Sequence, residues 1–151
     1  MSEYTESQIG QHSFSNEQHR LRINLLLTVG WLKNEIKVFL DQFEITQQQF
    51  NILRILRGMK GQPLSTNEIC DKMIDKMSDS SRIVDRLVSK GLVTKKPCPH
   101  DRRKVQVFIS NDGSYLLSTI DTKLKNLDVV FDNLSDEEIK VLNELLEKLV
   151  K

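Results

Sequence analysis

Gly91-Leu-Val-Thr-Lys-Lys-Pro-Cys-Pro-His-Asp-Arg-Arg-Lys-Val-Gln-Val-Phe-Ile-Ser-Asn-Asp-Gly113 sets two β-prone runs, Leu92–Lys96 and Val105–Ser110, on either side of a turn. The turn holds two prolines and the cluster Asp101-Arg102-Arg103-Lys104. A hairpin whose tip carries several cations makes a poor protein core and a good probe for a polyanion. Immediately upstream, Ser78 to Lys90 reads as a helix that stops at Gly91. Helix followed by basic hairpin is the order of a winged helix-turn-helix, and the polyanion it suits is DNA.

The charge distribution agrees. A formal net charge of +1 over 151 residues hides a basic middle. Arg54 to Lys104 holds 13 Lys and Arg against 6 Asp and Glu, while the remainder holds 9 against 15. Such a pattern suits a nucleic-acid module carried on an acidic scaffold. Nothing resembles a membrane span, since Leu25–Leu32 is interrupted by Thr28 and Gly30. The acidic start, Met1-Ser-Glu-Tyr-Thr-Glu, is unlike a signal peptide, so a cytoplasmic location is expected.

The expected class is mainly α with a small β-hairpin wing, the winged helix-turn-helix being flanked by long dimerisation helices. A first helix is expected over 15–42, with Leu21, Leu25, Thr28/Val29, Leu32, Ile36 and Phe39/Leu40 at spacings of three and four and Ser15–Gln18 as a capping box. Thr46–Gln49 and Ser65–Glu68 announce a second and a third helix. Ser78 is expected to begin the fourth helix, and Asn111-Asp-Gly113 to turn the chain into a fifth. That fifth helix would carry Leu116, Leu117, Ile120, Leu124, Leu127 and Phe131 on one continuous stripe. Ser135–Glu138 caps a sixth. Within one domain, 1–151, the DNA-binding lobe is placed at 45–110 and the dimerisation region at 15–42 and 112–150.

On the fourth helix, Ile83, Val84, Leu87 and Val88 form the apolar face. Ser78, Arg82, Asp85, Arg86 and Ser89 fall opposite, with Asp79 at the edge. Small hydroxyls and arginines suit a major groove, where Arg donates twice to guanine O6 and N7. The candidate DNA contacts are Ser65 and Thr66 on the third helix and Ser78, Asp79, Ser81, Arg82 and Arg86 on the fourth. Lys95, Asp101, Arg102, Arg103 and Lys104 complete them in the wing, whose cations can follow phosphates toward a minor groove.

Ile83-Val-Asp-Arg-Leu-Val-Ser-Lys-Gly91-Leu-Val, with the wing Asp101-Arg102-Arg103 and Val105–Gly113, resembles the multiple-antibiotic-resistance regulator (MarR) family of bacterial transcription factors. The likeness extends over about 15–151. It implies a homodimer of two winged lobes on a pseudo-palindromic operator. It also implies repression of transcription, with release by a small aromatic or phenolic ligand, a metal or an oxidant. Arg103 matches the family's minor-groove contact, and Asp101 its orienting partner.

Other chemistries find less support. The family's oxidation-sensing branch has a cysteine near the start of the long first helix, a region that holds none here. Cys70, beside Ile69, reads as a small buried residue; Cys98, near Lys95, Lys96 and His100, has the more reactive setting. His12, His19 and His100 lack metal-ligand spacing, so no metal or cofactor is expected. No enzyme motif is present. Trp31, Phe39, Phe43 and Phe50 are candidates to line an effector cavity, although aromatics at these spacings are more often core. The competing reading of the whole chain is a winged-helix adaptor that binds only protein.

Overall fold

The computed structural model describes residues 14–76, 79–98 and 105–150, and the chain divides between Phe39 and Leu40 into two compact units. The first consists chiefly of helix α1, Glu17–Asp41, whose last two residues belong to the second. Asn16 caps α1, its Oδ1 accepting from the His19 amide at 2.7 Å. The expected Ser15–Gln18 box does not form; the Ser15 hydroxyl instead meets the His19 ring nitrogen at 3.1 Å. Asn is as favourable a cap as Ser, so moving the cap one residue later costs nothing in capping preference. Leu21, Leu26, Val29, Trp31 and Val38 of α1 are exposed.

The second unit begins its regular structure with α2, Gln47–Gly58, and α3, Thr66–Lys72. Both expected capping boxes are present: Thr46 with Gln49, and Ser65 with Glu68. Helix α4, Ser80–Ser89, starts later than Ser78, because Asp79 has non-helical backbone angles and serves as its cap. At the other end Gly91 adopts φ +71°, a left-handed conformation that glycine enters without the cost a β-carbon brings.

Strands β1, Val93–Pro97, and β2, Val105–Ile109, pair antiparallel with Val93 opposite Ile109 and Pro97 opposite Val105. On its other edge β2 pairs with Leu64, the Leu64 and Val107 amides each donating to the other's carbonyl at 3.2 and 2.8 Å. This bridge ties the wing to the start of α3. It was not expected, since one apolar residue between Pro63 and Ser65 carries no strand signal.

Helix α5, Asn111–Asp121, begins at the Asn-Asp-Gly sequence itself. Ser110 caps it by accepting from the Gly113 amide at 3.0 Å, so those residues are a first helical turn rather than a connecting one. The expected stripe to Phe131 is also broken. A short helix α6, Lys125–Asp128, and a 3₁₀ turn, Val129–Phe131, replace its second half. At the break the Thr122 hydroxyl donates to the Thr119 carbonyl at 2.7 Å, and the Lys123, Asn126 and Leu127 amides bond three residues back. Hydroxyls that engage nearby carbonyls favour such departures from α geometry. Helix α7, Asp136–Val150, follows the Ser135–Glu138 capping box.

Helix α2 is the centre of the second unit, packed against α3, α4, α5 and β2. Ile52, Leu53 and Leu56 of α2 are essentially inaccessible, as are Ile69, Val84, Leu87, Val93, Val107, Leu117 and Ile120 from its neighbours. Each such side chain contributes about 1.5–3 kcal/mol relative to exposure. The core therefore holds α4 and the hairpin as one rigid edge.

Candidate nucleic-acid interface

Helix α4 is mounted by Val84 and Leu87, which are fully buried, and by Ser80, whose hydroxyl donates to the Thr66 carbonyl at 3.3 Å. Ile83 is half-buried. Val88, expected on the apolar face, is 38% exposed, because it lies beyond the strip that meets α2 and β1. Ser81, Arg82, Asp85, Arg86 and Ser89 all face solvent. The result is an exposed helical ridge of hydroxyls and two arginines, supported by a dry inner face.

The acids on this ridge have specific partners. Asp79 accepts from the Arg82 amide at 3.2 Å and pairs with Arg82 Nε at 3.1 Å, so one carboxylate both caps the helix and aims the guanidinium. Asp85 pairs with Lys95 Nζ at 2.5 Å across to β1. Lys95 lies on the same strand face as buried Val93, two residues away, which points its stem at α4. Ser65 is occupied in its cap, its hydroxyl donating to Glu68 at 2.7 Å, and Thr66 is half-buried beside it.

Between α3, α4 and the hairpin lies a polar cavity of about 760 Å³, lined among others by Ser65, Thr66, Glu68, Ser81, Lys95 and Cys98. The structure thus gathers candidates from all three elements around one groove. Ser78, His100, Asp101, Arg102, Arg103 and Lys104 lie outside the described residues.

Several cations of the basic middle are used within the fold. Arg54 and Arg57 of α2 each reach Asp121 of α5 at 2.7 Å. The Arg57 hydrogen bond, and then the charges of both arginines, hold the Asp121 carboxyl below its ordinary range against the opposing effect of burial. Lys90 donates to the Glu44 carbonyl, and Lys96 lies 5.2 Å from the centre of the Phe108 ring. Counting charges from sequence cannot separate these from the cations of the ridge.

The aromatic candidates do not line the polar cavity. Phe43 faces Lys123 at 5.3 Å, and Phe50 faces Arg54 at 5.7 Å. In the other unit Trp31 is exposed and Phe39 buried. Cys70 is half-buried rather than buried, its thiol meeting the Lys76 carbonyl at 3.7 Å. Among the described residues no group of three His, Cys, Asp or Glu is placed to hold a metal, and no helix is long and apolar enough to cross a membrane.

Comparison with known proteins matches this arrangement. The MarR family model aligns with residues 45–105, spanning α2 through the start of β2. The uncharacterized HTH-type transcriptional regulator YpoP of Bacillus subtilis is 31% identical over 121 residues, which cover 80% of this chain and 84% of that protein. The HTH-type transcriptional regulator PecS of Dickeya dadantii is 24% identical over 100% of this chain and 96% of its own. Among solved structures, a mutant of MarR from E. coli in complex with operator DNA superposes with a TM-score of 0.81. That match is 25% identical and covers 92% of this chain and 99% of the other. With the winged fold, the exposed arginine-bearing helix and these relatives, the chain belongs to the MarR family of DNA-binding transcriptional regulators, which are not enzymes.

Proposed function

We propose that the protein is a homodimeric repressor that binds a pseudo-palindromic operator in the cytoplasm and is released by a small aromatic or phenolic effector. The observation that carries the reading is the α4 ridge: Ser81, Arg82 and Arg86 stand in solvent on a helix held by buried Val84 and Leu87, beside a basic hairpin. Each lobe, 45–110, inserts α4 into a major groove, where Arg82 and Arg86 meet base edges. Ser65 and Thr66 serve the phosphate backbone, and the wing cations Arg102, Arg103 and Lys104 follow phosphates toward a minor groove. The regions 15–42 and 112–150 form the dimer. Support for this comes from Leu142, Leu145, Leu146 and Leu149, exposed on α7, and separately from Leu21 and Leu26, exposed on α1. The effector reading rests on the family and takes Trp31, Phe39, Phe43 and Phe50 as its candidates.

Titrating the protein onto duplex DNA at several salt concentrations tests this. If a dimer neutralises roughly 6–10 phosphates, affinity falls by about 10³–10⁵ between 50 and 200 mM salt. The internal pairing of Arg54, Arg57 and Lys90 argues for the lower end. A slope near zero would instead indicate a winged-helix adaptor for another protein.

A further inference from the structure

We propose that Asp85 determines specificity by withholding Lys95 from phosphate. This inference rests on the DNA-binding reading above and concerns how that surface separates an operator from random duplex.

Lys95 has two possible anionic partners. One is Asp85, already in contact at 2.5 Å from one turn within the recognition helix. The other is a DNA phosphate. A lysine that meets any phosphate strengthens binding to every sequence equally, and so adds affinity without discrimination. Asp85 opposes that contribution. Its side chain is 65% exposed while that of Lys95 is 29% exposed, so the acid of the pair is open to solvent. A phosphate approaching this cation meets the carboxylate's charge as well, and like charges in proximity raise the energy of the encounter.

The fold maintains the arrangement. Lys95 sits in the paired part of β1, opposite Val107, which is itself hydrogen-bonded to Leu64. Asp85 lies one residue from buried Val84. Neither backbone can drift from the other without disturbing the core. Arg82 is held in the same manner by Asp79, but that acid also caps α4, whereas Asp85 has no capping role. Its charge is therefore separable from the stability of the helix.

The test compares wild type, Asp85→Asn, Lys95→Met and the double variant on an operator duplex and on random duplex, across a salt series, with thermal melts of each. Asp85→Asn should bind random duplex about twofold to fivefold tighter, the range expected for one exposed ion pair. Its salt slope should steepen by about 0.9 for each winged lobe. Operator affinity should rise less, so the operator-to-random ratio falls. In the Lys95→Met background the effect of Asp85→Asn should shrink to less than half, because the acid acts through that lysine.

Random binding and slope unchanged by Asp85→Asn, or an undiminished effect without Lys95, would overturn the proposal while leaving the DNA-binding reading intact. Wild-type protein that binds neither duplex would overturn both. A Tm shift shared by Asp85→Asn and Lys95→Met with no change in the salt slope would assign the pair a structural role only.

Discussion

Gly113 carries a requirement that no side-chain contact reveals. A β-carbon there would lie 2.2 Å from the Leu92 carbonyl oxygen and 3.0 Å from Ile109 Cγ1. That carbonyl accepts from the Ser110 amide, at the junction of hairpin and α5. Helix propensity alone would favour alanine by about 1 kcal/mol. The clash is with backbone, which cannot rotate away, so Gly113→Ala is expected to destabilise the protein by roughly 1–3 kcal/mol in thermal or urea unfolding. Stabilisation would mean that α5 moves off the hairpin freely. In the sequence Asn-Asp-Gly reads as a turn, because its side chains suit one. Only the spatial neighbour of Gly113 reveals it as a contact point. Arg82 and Asp79 were more readable, since i,i+3 residues on a helix meet. Asp85–Lys95 was not, because ten residues and a change of secondary structure separate the two.

At the scale of elements, capping chemistry was the most dependable signal. Thr46, Ser65 and Ser135 each begin a helix with the expected partner three residues on. Hydrophobic spacing was less so: the leucines after Ile120 keep helical intervals while the backbone breaks at Thr122. Periodicity reports which face is apolar and is blind to a local competitor for the carbonyls. The Arg54–Asp121–Arg57 clamp joins α2 to α5 just before that break. With its carboxyl lowered from the ordinary value of 3.8, Asp121 contributes stability that is fully present above that pH and is lost as pH falls through its folded value. Its side chain is 36% exposed, so solvent screening limits the effect. Asp121→Asn should cost about 0.5–1 kcal/mol in urea unfolding at pH 7. The gap from wild type should close in acid below the ordinary carboxylate range. A gap that stayed constant with pH would assign the loss to packing rather than charge.

For the whole molecule, the sequence separated a basic, turn-rich middle from acidic, leucine-rich ends, and that division anticipated where the winged elements lie. Net charge could not identify the cations that remain available, because the partner of Arg54 and Arg57, Asp121, lies outside the basic segment, and that of Lys95 lies on a different element. In the proposed function, two copies of the chain read bases through the α4 ridge. The most direct test of that reading is selection of bound duplexes from a random pool, with wild type and Arg82→Ala in parallel. Wild type should enrich an inverted repeat whose half-sites are about 10 bp apart, centre to centre, or a multiple of that. Arg82→Ala should remain folded and lose preference at one position in each half-site, a discrimination of about 1–3 kcal/mol. Enrichment of no sequence by wild type, or an unchanged preference in Arg82→Ala, would contradict base reading by the ridge at Arg82.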